Sequence, residues 1–203
     1  MMINDKKNIL DSLNSEIFFE IELGCGPSKK NTNAIGIDLI DYDCVDIVGD
    51  VFEVLSQIPS GVVQNIYTYH FLEHINDIDK LIKEMHRVLA DGGKIFAVVP
   101  HFSNPFYYSD LTHKATFGLY SFSYYSISNF KRQVPIYQNG ILFKQESVRL
   151  IFKSYPPRYF RHGVKKFCEF IFNLNTYIKE FYEENLTFIF PCYEVSYILI
   201  KKH

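Results

Sequence analysis

Glu22-Leu23-Gly24-Cys25-Gly26-Pro27 follows directly on an apolar run, Ile17 to Leu23, and the reading of this stretch decides the fold. Two glycines just after a strand let the backbone turn sharply and let a ligand approach where a side chain would collide. A Gly-x-Gly pair alone is a weak signal, and its weight comes from the next two strand ends. Gly36-Ile37-Asp38-Leu39 closes a second apolar run, Ala34 to Leu39, with a carboxylate that can accept both hydroxyls of a ribose. Gly49-Asp50-Val51 repeats the arrangement after a third, Val45 to Val48. In open α/β sheets ligands lie outside the C-terminal ends of the strands, so all three tips are expected to face one bound nucleoside.

The same alternation continues outward. Val62 to Tyr69 reads as a fourth strand. Asp77 to Leu89 places Ile78, Leu81, Ile82, Met85, Val88 and Leu89 on one helical stripe, with Asn76 or Asp77 as N-cap and Asp91-Gly92-Gly93 as the stop. Lys94 to Val99 forms a fifth strand, closed by Pro100. Short apolar runs alternating with helical stretches predict an α/β domain built on a mostly parallel sheet. Beyond Pro100 the chain turns rich in Tyr, Phe and Ser until Ile141 to Lys153, a strand with a bend. Val164 to Glu183 has helical period, and Cys192 to Lys201 is a late Val/Ile/Tyr-rich strand.

Composition narrows the function classes. The 203 residues suit a single domain, and a net charge of -2 gives no field that would hold nucleic acid or an anionic membrane. Cys25, Cys44, Cys168 and Cys192 form no CxxC pair, which fits reduced thiols in a cytoplasmic protein. No apolar stretch has the length of a signal peptide or a membrane span.

Taken together, ELGCGP (22 to 27), GIDL (36 to 39), GD (49 to 50), YHFLEHI (69 to 75) and EMHRVLADGGKIFAVVP (84 to 100) resemble the class I S-adenosylmethionine (SAM)-dependent methyltransferases of the type 11 branch. The likeness covers roughly the first half of the chain. It implies a Rossmann-like three-layer sandwich with a C-terminal antiparallel strand, for which Cys192 to Lys201 is available. It also implies that Glu22, Gly24, Cys25 and Gly26 surround the methionine amine and carboxylate of SAM. Asp38 would then hold the ribose, with Leu39 packing on adenine. Asp50 and Val51 would meet the adenine edge, and Tyr69 and His70 would close the methionine side. The product cofactor would be S-adenosylhomocysteine.

One departure stands out: residues 27 to 37 alone separate Gly26 from Asp38, too few for a crossover helix plus a strand. The first crossover must be a loop, in which Lys30 either contacts the cofactor carboxylate or is simply solvated. Acceptor-side elements are expected in 101 to 135 and 155 to 190. His101, Asp110 and His113 lie in HFSNPFYYSDLTH; O-methylation needs a base for the hydroxyl proton, and a neutral histidine suits that role. Capping of a strand end by His101 and a local Asp110/His113 hydrogen bond is the alternative. A metal held by His101, Asp110 and His113 is not expected, because no acidic cluster accompanies them. His74 and His86 read as surface or core-edge residues beside the helix. The aromatics from Phe102 to Tyr125 either line an acceptor pocket or fill the core. Phe170, Phe172, Tyr177 and Tyr182 lie off the late helix's main stripe, which suggests a homodimer or membrane-surface contact.

These readings converge on O-methylation of a sugar or nucleotide-linked sugar for surface polysaccharide. Alternatives are a small-metabolite or lipid/quinone acceptor and a SAM-binding protein without catalysis. An NAD-dependent oxidoreductase fits less well, since the third glycine of that fingerprint is missing and the acid comes too early.

Overall fold

The computed structural model describes residues 3–13, 18–135 and 140–202. Within them the strands are β1 (Asn4–Asp5), β2 (Phe19–Leu23), β3 (Ile35–Asp38), β4 (Ile47–Val48), β5 (Val63–Tyr69), β6 (Leu89–Pro100), β7 (Ser126–Ile127), β8 (Phe143–Ile151) and β9 (Glu194–Lys201). The helices are α1 (Ile9–Ser12), α2 (Val51–Gln57), α3 (Ile78–Val88), α4 (Tyr159–Phe172) and α5 (Thr176–Asn185). Ile17, the expected start of the first strand, lies outside the described residues.

One sheet of order β1-β4-β3-β2-β5-β6-β9-β8-β7 holds all the strands. From β4 to β6 neighbours run parallel, and β9 runs antiparallel to both β6 and β8. The chain thus adopts the Rossmann-like three-layer sandwich expected, with its C-terminal strand reversed. Ile21, Leu23, Ile37, Ile66, Ile95, Val99, Val195 and Leu199 are buried in its core. Strand order reverses between β2 and its two parallel neighbours, β3 and β5, so the crevice of the fold opens at Leu23 and the glycines after it.

Residues 24 to 34 join β2 to β3 without a helix, and buried carboxylates fold this loop. Glu22, 1% exposed, accepts the backbone N–H of Lys30 at 2.9 Å and of Asn31 at 2.7 Å. Asp46 accepts Lys29 Nζ at 2.7 Å, Lys7 Nζ at 2.6 Å and the Gly36 amide at 2.8 Å. Burial would raise the Asp46 pKa, but the hydrogen bonds from Lys29 and Lys7 outweigh it and bring it to about 2.

The short elements β1, α1 and β7 were not expected, and three larger differences bear on the site. The helix α2 was not anticipated, although Asp50 and the spacing of Val51, Val54, Leu55 and Ile58 announce it; Asp50 caps it by accepting the amides of Phe52 (2.9 Å) and Glu53 (3.3 Å). Next, α3 runs straight into β6 at Leu89, so Asp91-Gly92-Gly93 is no helix stop but an irregularity within the strand, where the pairing with β5 shifts. Gly92 has φ +74°, which favours glycine. Finally, the late helix is two helices. Asn173 leaves the helical path to exchange hydrogen bonds with Leu150 of β8, and Asn175 then caps α5 by accepting the Ile178 amide at 2.9 Å.

Candidate active site

The three strand tips meet. Gly24 and Gly26 take φ +64° and +58°. The Gly24 amide donates to the Ile37 carbonyl at 2.8 Å, the Gly26 amide to Asp38 Oδ2 at 2.8 Å and the Gly49 amide to the Asp38 carbonyl at 2.9 Å. A Cβ on Gly24 would lie 2.6 Å from Phe71 Cγ, whereas one on Gly26 would meet nothing within 4 Å. Open space therefore lies over the second glycine. The other Asp38 oxygen accepts the Ile40 amide at 2.9 Å, so the half-buried carboxylate is aimed by backbone alone and keeps lone pairs for a ligand. Leu39, 58% exposed, lays an uncovered apolar side chain beside it. A carboxylate for the ribose, a bare apolar side chain for the base and open space above a glycine bend fit an adenosyl group.

Other expected cofactor contacts are used structurally. Glu22 is spent on the Lys30–Asn31 loop and Asp50 on the α2 cap. Val51 is in the core. The Cys25 thiol is buried, which pushes it up to about 12, with Asp38 the next cause, so it packs as a neutral group. The Tyr69 hydroxyl accepts from Asn31 Nδ2 at 3.2 Å. Lys30 is exposed, while its neighbour Lys29 is the lysine that turns inward.

His70 follows β5 with φ +53°, a left-handed conformation uncommon for non-glycine residues. Its Nε2 lies 2.9 Å from Glu194 Oε1, and its Nδ1 lies 3.4 Å from Glu73 Oε1. The bond to Glu194, then Glu73, raises its pKa to about 9 against the effect of burial. At neutral pH His70 is thus a charged donor and not a base. Glu194 also accepts Lys153; burial would raise its pKa, and its two cationic partners lower it.

Beyond β6 a cavity of about 240 Å³ is lined by His70, Glu73, His74, Asn104, Tyr107, Asp110, His113 and Tyr193, among others. Asp110 and His113 stand together, with Oδ2 3.6 Å from Nε2. His113 Nδ1 lies 2.8 Å from the Tyr107 carbonyl, and that oxygen only accepts, so the ring donates there and Nε2 carries the free lone pair. His101 is elsewhere. It is fully buried, with Nε2 2.9 Å from Glu183 Oε2 and Nδ1 accepting the Ser103 amide at 3.1 Å. Both ring nitrogens are occupied, which corrects the grouping of His101 with Asp110 and His113. His101 pairs with Glu183 of α5, whose other oxygen accepts the Leu119 amide at 2.7 Å.

Glu73 and His74, on the 3-10 turn Leu72–His74, are the cavity residues that sequence reasoning missed. Their signal was the YHFLEHI run after a strand. His86 sits at the core edge, 5.4 Å edge-on to Phe143. Of the aromatic segment, Tyr107 lines the cavity and stacks on His113 at 4.7 Å, while Phe117 and Phe122 are core. A larger cavity, about 370 Å³, between α3 and residues 115 to 125 brings no catalytic set together.

Residues 21–97 match the family model of the type 11 methyltransferase domain. These residues form a class I SAM-dependent methyltransferase domain. This match and the fold together support a SAM-dependent methyltransferase. A SAM-dependent methyltransferase from Archaeoglobus fulgidus is 15% identical and superposes with a TM-score of 0.57, over 93% of this chain and 87% of that one. Phosphoethanolamine N-methyltransferase 2 of Haemonchus contortus with bound SAM is 13% identical, TM-score 0.55, over 97% of this chain and 52% of that one. The same worm enzyme with phosphomonomethylethanolamine and S-adenosylhomocysteine is 12% identical, TM-score 0.51, over 97% and 53%. This methyltransferase spans about half the length of the worm enzyme. At these identities the likeness is one of fold. No curated protein matches the chain. Among the described residues no helix is long and apolar enough to cross a membrane.

Proposed function

We propose that this methyltransferase O-methylates a sugar, carried as a nucleotide-linked or similarly phosphorylated donor, for surface polysaccharide made in the cytoplasm. One observation carries the reading: the polar cavity of His113 and Asp110 adjoins a cationic one. That second cavity, about 290 Å³, is lined by Lys153, Arg158, Arg161 and Lys165 and shares Asn104, Phe106 and Tyr193 with the first. Burial lowers the Lys165 pKa, with the neighbouring Arg161 a lesser cause. Such a set suits a phosphate or diphosphate while the sugar hydroxyl reaches the neighbouring cavity.

Asp38 would hold the ribose of SAM and Leu39 would cover its adenine. SAM supplies a sulfonium methyl; its S–C bond breaks with the electron pair left on sulfur as the acceptor oxygen gains the methyl. His113 Nε2 is placed to take the hydroxyl proton, with Asp110 beside it to steady the imidazolium. Of the two candidate bases, His101 and His113, this reading keeps His113.

A phosphorylated small metabolite, the acceptor class named for the worm enzyme, would satisfy the same cations. Turnover against a panel of sugar nucleotides, free sugars and phosphorylated amines, with labelled SAM, decides among these. Methyl transfer only to a nitrogen acceptor, or to none with SAM still bound, would overturn the sugar reading. Of the four aromatics expected off the late helix's main stripe, Phe172 and Tyr182 are buried in the core, and a homodimer contact would rest on the exposed Phe170 and Tyr177.

A further inference from the structure

We propose that Glu73, His74 and His113 bind one divalent transition-metal cation, of the zinc class, within the acceptor cavity. Each residue offers a ligand atom, and these atoms lie within 4.8 Å of one another. Around a tetrahedral ion with bonds of about 2.0–2.1 Å, ligand atoms stand about 3.4 Å apart. Side-chain adjustment of little more than an ångström closes the set.

Three further observations point to a ligand. Glu73 is 0% exposed, and neither carboxylate oxygen has a hydrogen-bond partner. His70 Nδ1 comes no nearer than 3.4 Å, an ion-pair distance without hydrogen-bond geometry. His70 thus meets Oε1 alone, and the buried Oε2, left without donor or cation, is the atom that a further cation would satisfy. Both histidines are also held as metal ligands are held. Thr112 gives its hydroxyl proton to Asp110 Oδ1 at 2.6 Å, so its oxygen can only accept from His74 Nδ1, 2.9 Å away. His113 Nδ1 donates to the Tyr107 carbonyl at 2.8 Å. Each ring thereby presents the lone pair of Nε2, and the two rings face each other at 4.9 Å, tilted by 60°. Hydrogen bonds from the far ring nitrogen to a carbonyl or a carboxylate-backed hydroxyl are the usual outer support of metal-bound histidine. Finally, two histidines and one carboxylate beside a cavity leave a coordination position open for an acceptor.

The consequence for catalysis rests on this cavity being the acceptor site; the binding itself does not. A hydroxyl in the open position loses its proton more readily on the cation, and Asp110, 3.6 Å from His113 Nε2, takes that proton to solvent. The S–CH₃ bond breaks and the O–CH₃ bond forms as before. In the loaded enzyme His113 is a ligand, and Asp110 is the proton acceptor.

The test uses tag-free full-length protein stripped with chelator. Zinc binding is measured by competition with a chromophoric chelator and by metal analysis after gel filtration. One zinc per chain is expected, with affinity at least about 100-fold weaker in His74→Ala and His113→Ala and about 10–100-fold weaker in Thr112→Val, which loses only the outer support. Cobalt loading should give the intense visible bands of a tetrahedral N/O site, absent from His74→Ala. SAM binding by each variant reports that it is folded. No stoichiometric zinc, or equal affinity in wild type and folded His74→Ala, overturns the site. Methyl transfer to a sugar in chelator-stripped enzyme, undiminished, overturns the catalytic role alone. Zinc bound as expected with no transfer to any sugar overturns the acceptor reading and leaves the site standing.

Discussion

The Gly26 amide and Asp38 Oδ2 stand 2.8 Å apart, a bond that ties the glycine bend after β2 to the acidic tip of β3. It fixes the carboxylate beside the glycine bend, where a Cβ on Gly26 would meet nothing within 4 Å. Whatever removes this carboxylate removes both the ribose partner and the brace of the loop.

Asp38→Ala should therefore weaken SAM binding by about 10–100-fold, the loss of one or two charge-assisted hydrogen bonds. Titration calorimetry reads it directly. Unchanged affinity would falsify the assignment of Asp38 to the cofactor.

Gly24→Ala forces a Cβ to within 2.6 Å of Phe71 Cγ at a φ of +64°. The conformation alone costs about 1–2 kcal/mol, and Phe71 must move as well. A fall of several degrees in Tm with loss of SAM binding is expected. If Tm and affinity both match wild type, the glycine is not required for close packing.

His113 and His101 should separate in their effects. His113→Ala lowers turnover by about 10²–10⁴-fold while the melting temperature stays near wild type. His101→Ala leaves Glu183 without its buried partner and should cost about 3 kcal/mol of stability. Equal turnover by folded His113→Ala and wild type would remove His113 from the chemistry.

Arg161→Gln thins the cationic cavity without touching the acceptor histidines. The KM for a phosphorylated acceptor should rise about 10-fold or more, with kcat little changed. An Arg161 variant with wild-type KM for every phosphorylated acceptor would argue that the anion lies elsewhere.

Asp46 gives a pH signature. Its folded pKa, about 2, lies below the ordinary 3.8, so its stabilising contribution is fully present above pH 4 and is lost as pH falls toward 2. The difference is worth roughly 2 kcal/mol at most. Chemical denaturation from pH 5 to 2 should show a shallower acid slope in Asp46→Asn than in wild type. Parallel slopes would mean that Lys29 and Lys7 do not hold Asp46 in solution.

The sequence by itself determined the succession of strands from β2 to β6, the glycine bend and the acidic tips, because hydrophobic period and punctuating residues are local properties of a chain. It also required the helix-free first crossover, since residues 27 to 37 are too few for anything else. It did not separate α4 from α5, because the break is made by Asn173 bonding to Leu150, a partner 23 positions away. Nor did it reach the occupancy of Glu22, whose backbone partners Lys30 and Asn31 arrive only once the loop is folded.

The acceptor site was decided by tertiary structure. His101 and His113 look alike as letters twelve positions apart, yet one is sealed against Glu183 of α5 and the other opens beside Glu73 and His74 from the far end of β5. Side-chain role depends on burial and on which donors and acceptors arrive from distant segments. Those are properties of the folded sheet and its loops, and no local pattern encodes them.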